Sequence, residues 1–127
     1  MSNLKKILIG KKNCKSVWFM RQAGRYLPEF RKIRKTNTNF IELCLNSELS
    51  SDITLQPIKR FNLDSAIIFS DILLVPYALG QNVNFVKNQG PILSKFDLKT
   101  FLNNDKISFT QKLHPIYKAI EITRKKL

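Results

Sequence analysis

The run Ala66-Ile67-Ile68-Phe69, closed by Ser70-Asp71, constrains the fold more than any other part of the chain. A half-exposed strand alternates apolar and polar residues, and this run does not. A continuous apolar stretch of strand length is the pattern of a strand covered on both faces, as in a parallel sheet. Such a strand needs neighbouring strands and helical layers around it. The chain has 127 residues, room for at most one domain. Two further segments have strand character. Val17 to Met20 is a brief apolar run, and Val83, Phe85 and Val86 alternate between Gly80 and Gly90-Pro91 like one strand of a hairpin or excursion.

Most of the remainder reads as helix. Leu4, Ile7 and Leu8 fall at helical spacing, with Gly10 as a C-terminal cap. Pro28 suits the first turn of a helix running to about Lys35, because its absent N–H is not needed there. The cluster Thr36-Asn37-Thr38-Asn39 ends that helix, and Phe40 to Leu45 begins another. Asn46 or Ser47 caps a helix carrying Leu49, Ile53 and Ile58, with Pro57 kinking it or marking its last turns before Asn62 breaks the pattern. Residues 97–104 read as one or two turns and a loop. Leu113, Ile116, Tyr117 and Ile120 mark a last helix, with His114 near its start beside Pro115 and Arg124, Lys125 and Lys126 at its end. Trp18, Phe19, Tyr26 and Phe69 read as core aromatics, and Met20 and Cys44 as packing residues.

Charge and cysteine content narrow the function. The formal net charge is +13. Lys11, Lys12, Lys15, Arg21, Arg25, Arg31, Lys32, Arg34 and Lys35 are opposed only by Glu29, so this segment can draw in a polyanion. Cys14 and Cys44 form no CxxC, and the single His114 has no partner at ligand spacing, so no metal site is expected. Two free thiols and an N-terminal apolar run too short for a signal or a span point to a cytoplasmic protein.

The chemistry concentrates at Met20-Arg21-Gln22-Ala23-Gly24-Arg25-Tyr26-Leu27-Pro28. Arg21 and Arg25 stand four residues apart around a glycine in a short turn. A guanidinium is always charged and offers a planar fork that fits a carboxylate with two parallel bonds. The glycine is expected to allow a sharp turn and a close approach to a ligand. Two forks on one turn suit a small molecule bearing several carboxylates. Asp71, directly after the buried-type strand, can accept hydrogen bonds from ligand N–H groups or cap the turn that follows.

The segment Val17 to Arg31 resembles the N-terminal signature of the uroporphyrinogen decarboxylase family almost residue for residue. Thr54-Leu55-Gln56-Pro57-Ile58, Arg60-Phe61, Ile68 to Pro76 and Ala78-Leu79-Gly80 resemble its next signature, in matching order. The resemblance implies an α/β fold in which residues 1–127 form the N-terminal portion of a (β/α)8 TIM barrel, incomplete in this chain. It implies a lyase that removes carbon dioxide from four acetate side chains of uroporphyrinogen III to give coproporphyrinogen III in haem biosynthesis. No metal or organic cofactor is implied, because a protonated pyrrole serves as the electron sink. Arg21 and Arg25 match the arginines that hold substrate carboxylates, Arg21 also as a proton-donor or orienting candidate. Gln22, Ala23 and Gly24 match a loop whose backbone lines the pocket, Arg34 a further carboxylate contact, and Asp71 the catalytic carboxylate set against the pyrrole N–H groups.

A complete barrel takes roughly 250 residues, so one strand of this chain cannot close one. The expected partners are therefore the small-molecule substrate, the rest of the barrel if the gene is split, and a second copy in the homodimer of the full-length family. No nucleic acid and no membrane is expected. Two other readings compete: a basic nucleic-acid-binding remnant, and a relative among barrel-type corrinoid-dependent methyltransferases. The basic positions are not interleaved with exposed aromatics, and the arginine signature favours the decarboxylase.

Overall fold

The structure, a computed structural model, describes residues 3–11, 13–86, 89–103 and 105–127. Lys12 of the basic segment and Asn104 of the 97–104 loop lie outside the described residues. In chain order the elements are α1 (Asn3–Leu8), α2 (Pro28–Thr36), α3 (Phe40–Leu45), α4 (Ser47–Phe61) and α5 (Leu74–Ala78). They continue with β1 (Val83–Val86), β2 (Gly90–Leu93), α6 (Leu98–Leu102) and α7 (Lys106–Lys126).

Local chemistry sets the helix ends. Pro28 opens α2. The Asn39 side chain accepts from the N–H groups of Ile41 and Glu42 at the start of α3, and Asn46 accepts from Leu49 N–H at the start of α4. Asn62 closes α4 in the left-handed region at φ 51°. Asp105 caps α7 by accepting from Ser108 N–H at 2.7 Å. That cap starts α7 well before His114, so His114 is mid-helix and exposed rather than at a helix start. Proline inside a helix costs about 3 kcal/mol, and packing against α4 offsets this at Pro115. The facing residues of α4 and α7 are small: Ser47, Ser50 and Ser51 against Ala119 and Thr123. Ser47 Oγ donates to the Pro115 carbonyl at 2.8 Å, and Thr123 Oγ1 donates to Ser51 Oγ at 3.0 Å.

Two apolar clusters form the core. Leu27, Phe30, Leu43 and Ile53 make one, and Ile41, Cys44, Leu74 and Val83 the other. Phe69 packs against both. Its ring meets Phe30 edge-on at 5.6 Å and Phe40 at 5.9 Å. The aromatic readings therefore divide. Phe69 and Cys44 pack inside, whereas Trp18, Phe19 and Tyr26 are exposed and Met20 is 80% exposed.

Among the described residues the sheet has two strands. β1 pairs antiparallel with β2, Val83 opposite Leu93 and Val86 opposite Gly90. The expected strands at 17–20 and 66–69 belong to no sheet. Residues 65–69 nevertheless have bonded peptide groups, with side chains as the partners. Gln22 Nε2 donates to Ser65 O at 2.9 Å, and Ile67 N–H donates to Gln22 Oε1 at 2.9 Å. A parallel neighbour reaches the C=O before and the N–H after the residue it faces, and the Gln22 carboxamide does this around Ala66. Phe69 N–H donates to Thr54 Oγ1 at 2.8 Å, and Ser50 Oγ donates to Phe69 O at 2.7 Å. The result is a mixed helix and strand body without a closed barrel.

Candidate functional site

The loop from Arg21 to Leu27 turns through a bond from Leu27 N–H to Gly24 O at 3.0 Å. Gly24 is not in the left-handed region, and a Cβ there would meet the Tyr26 ring at 3.7 Å, an ordinary contact. The turn therefore does not depend on glycine's conformational freedom, contrary to the expectation from sequence. The Tyr26 hydroxyl donates to the Gln22 carbonyl. Arg31, on α2, donates through Nη1 to the carbonyls of Arg25 and Tyr26, at 3.0 and 3.4 Å. The carbonyls of Gln22, Gly24, Arg25 and Tyr26 are thus engaged within the protein. No acceptor for the backbone N–H groups of residues 21–26 is found among the described residues.

Arg21 and Arg25 are exposed, and neither forms an ion pair among the described residues. Glu29, the one acid of the basic segment, does not neutralise them. Its Oε1 accepts from Arg60 Nη2 at 2.8 Å and from Nε at 2.9 Å, which holds the carboxyl below its ordinary range and ties α2 to α4. Arg34 is half-buried. Its guanidinium donates to the Asn37 carbonyl and lies 5.5 Å from the centre of the Phe40 ring.

Asp71 ends the extended segment. Its Oδ1 accepts from Leu73 N–H at 2.9 Å, and its carbonyl accepts from Leu74 N–H at 3.2 Å. The carboxylate therefore caps the turn into α5 and is partly buried. Burial pushes the Cys44 thiol up to about 12; the Asp71 charge adds to this rise, and Arg34 opposes it. Asp71 and Arg34 thus both act electrostatically on Cys44, on the inner side of the molecule.

Two latches join the arginine loop to the segment that ends at Asp71. One is the Gln22 carboxamide, itself 3% exposed. The other pairs Val17 with Asp64: Val17 N–H donates to Asp64 Oδ2 at 2.8 Å, and Asp64 N–H donates to Val17 O at 3.0 Å. Sequence reasoning missed Ser50, Thr54, Asp64 and Arg31. The available signal was Ser50 and Thr54, one helical turn apart, beside the apolar Ile53 and Leu55. Hydroxyls on an inward helix face need partners. Among the described residues no three His, Cys, Asp or Glu side chains converge to hold a metal, and no helix is long and apolar enough to cross a membrane.

The loop thus carries two guanidiniums and a run of N–H groups without partners among the described residues, on a turn latched to the segment that leads to Asp71. The family model for uroporphyrinogen decarboxylase (URO-D) matches residues 10–127, and the chain belongs to that family. It is 52% identical over 112 residues to a uroporphyrinogen decarboxylase of Neorickettsia sennetsu, an alignment covering 88% of this chain and 34% of that protein. It is 50% identical over 116 residues to the enzyme of that name from Orientia tsutsugamushi, covering 91% and 34%. With that of Rickettsia africae it shares 47% identity over 120 residues, covering 94% and 35%. The chain thus spans about a third of the length of these relatives.

Proposed function

We propose that this chain supplies the carboxylate-gripping part of a uroporphyrinogen decarboxylase, residues 1–127 serving as the N-terminal portion of its (β/α)8 barrel. The observation that carries the reading is the loop of residues 21–26, whose two arginine forks and N–H groups have no partner among the described residues, while four of its carbonyls and the Gln22 side chain are engaged within the protein. In this reading Arg21 and Arg25 bind carboxylates of uroporphyrinogen III, and the N–H groups of Gln22, Ala23 and Gly24 line the same pocket. Arg34 gives a further contact from the inner side. Asp71 turns its carboxylate to the pyrrole N–H groups. Protonation of a pyrrole ring carbon makes a cation, which the Asp71 charge stabilises; loss of carbon dioxide passes the C–C bond pair toward the ring and leaves an exocyclic methylene, and protonation of that methylene with release of the ring-carbon proton gives the methyl group. Arg21 donates or orients the proton.

Two features support completion of the barrel by further chain. The N–H and C=O groups of Ala66, Ile68 and Ser70, on the edge away from Gln22, have no partner among the described residues. Ile67, Ile72 and Val75 are exposed beside them, Ile72 at 86%. The remainder could be continuous with this chain or come from a second gene product, and the completed enzyme is read as a homodimer.

The test joins this chain to the remaining length of the Neorickettsia sennetsu relative and assays uroporphyrinogen III anaerobically. The fusion should form coproporphyrinogen III, and the 127-residue chain alone should not. Asp71→Asn in the fusion should lower kcat on the order of 100- to 1000-fold, the usual loss for one preorganised electrostatic contact. An inactive, well-folded fusion refutes the reading, and parental turnover by Asp71→Asn reduces Asp71 to a turn cap.

A further inference from the structure

The Gln22 side chain is turned into the protein. It is buried, and both ends of its carboxamide are used on the backbone of the segment leading to Asp71. The two groups that would act on opposite sides of a ligand, the arginine forks and the Asp71 carboxylate, lie on different stretches of chain. Only polar contacts and shared core packing connect those stretches. Of the polar contacts, the Asp64 and Val17 pair sits at the entry to the loop, four residues before Arg21. Gln22 sits directly between Arg21 and Ala23. A carboxamide is also the shortest side chain group that can donate and accept in the spacing of a strand's peptide groups, and it is neutral, so burial carries no charge penalty.

We propose that Gln22 is a positioning residue: its carboxamide, standing in for a neighbouring strand, sets the register between the arginine loop and the Asp71 segment. The inference rests on the polycarboxylate reading of that loop. It assigns Gln22 a side-chain role distinct from any contact its backbone makes with substrate. Gln22→Met keeps the length and burial but removes both bonds. Gln22→Glu keeps the acceptor for Ile67 N–H and sets an oxygen against Ser65 O in place of the donor. Both should loosen the latch, Glu no less than Met, because a carboxylate buried against a carbonyl oxygen carries the charge penalty that the neutral amide avoids.

Two measurements test this. In the fusion described above, amide exchange at Ile67 should quicken about tenfold in Gln22→Met, while Phe69, held by Thr54, changes much less. In the same fusion, uroporphyrin I serves as a stable octacarboxylate probe read by fluorescence. Gln22→Met should weaken its Kd about tenfold at unchanged stoichiometry, since small misplacements of positioning groups are costly. It should add little in an Arg25→Ala background, where the clamp it positions is already gone. A purely structural role would instead lower the number of competent sites and leave Kd unchanged, which overturns the proposal. So does unchanged exchange at Ile67. If Gln22→Met does not fold, Gln22→Glu decides by the same two readouts. A fusion that binds uroporphyrin through Gln22 but does not decarboxylate refutes the enzyme reading alone. One that decarboxylates while Gln22→Met binds like the parent refutes the positioning role alone. A fusion that binds no uroporphyrin refutes both.

Discussion

Thr54→Val tests whether helix α4 holds the extended segment that carries Asp71. Thr54 is fully buried, and its hydroxyl makes two bonds. It accepts from Phe69 N–H at 2.8 Å and donates to the Ser50 carbonyl at 2.7 Å. Valine has nearly the same shape, so no cavity opens. The Ser50 carbonyl keeps its place in the helical ladder. The Phe69 N–H is left without an acceptor, which costs about 1–3 kcal/mol. The added methyl recovers part of this through apolar burial, about 0.8 kcal/mol per buried carbon at most. A net destabilisation of about 1 kcal/mol follows, the middle of the unpaired-donor range less the recovered methyl. Urea unfolding of the fusion described above measures it, with the m-value expected to be unchanged. Ser50→Ala should cost about 1 kcal/mol by the same reasoning, since the Phe69 carbonyl loses one donor. If Thr54→Val lies within about 0.5 kcal/mol of the parent, the range of an ordinary surface change, then α4 does not anchor the segment.

The other predictions concern charge and exposed surface. In the fusion, Arg25→Ala should raise KM more than it lowers kcat, because a clamp on carboxylates holds ground and transition states alike. Arg21→Lys should be damaging although the charge is kept, because an ammonium lacks the planar fork; parental kinetics for Arg21→Lys would refute bidentate binding. Bonds from Lys125 and Lys118 hold the exposed Glu121 carboxyl at about 2, below its ordinary 4.5. Its contribution to stability is therefore complete above about pH 4.5 and is lost as pH falls toward 2. Glu121→Gln should flatten that part of the stability-against-pH curve, and salt should shrink the difference. The isolated chain should self-associate through Trp18, Phe19, Ile67, Ile72 and Val75; a monomer by sedimentation with a sharp, cooperative melt would contradict this.

Legibility in the sequence followed the range of the interactions. Pro28 at the start of α2, the Asn46 cap of α4 and the strand between Gly80 and Gly90 depend on neighbours within a few residues and are legible in the sequence, whereas the Asn39 cap of α3 and the second strand from Gly90 are not read there. Ala66 to Phe69 was read as a strand from its composition, and its backbone is bonded as a strand's would be. The partners, however, are a glutamine more than forty residues earlier and two hydroxyls on α4, which no periodicity announces. Phe69 packs in the core as read, but Trp18, Phe19 and Tyr26 do not, for a related reason. A sequence shows that Trp18 and Phe19 are apolar but not whether an element exists to cover them. His114 was misplaced because Pro115 looked like a beginning, while Asp105 had already capped the helix. At the site, the arginine pair and Asp71 stood out as residue types, and the Gln22 side chain did not, because an amide's partners are set by tertiary contact.

The net charge of +13 describes the chain poorly until each charge is traced to a partner. Arg60 is taken by Glu29, Lys118 and Lys125 by Glu121, and Lys126 by Asp52 and Glu48. Arg31 braces the loop carbonyls, and Arg34 is turned to Asn37 and the Phe40 ring. Of the four arginines between residues 21 and 34, this leaves Arg21 and Arg25 with free forks. A nucleic-acid surface spreads many cations along a face to follow a repeating backbone, and its affinity falls steeply with salt. Two planar forks and adjacent N–H groups on one short turn make a different demand. They favour carboxylates carried close together on one small molecule, and planar, paired bonds give that preference a geometric component that added salt does not remove. The reading proposed above therefore rests on where the two forks and the N–H groups stand together, and not on the total charge.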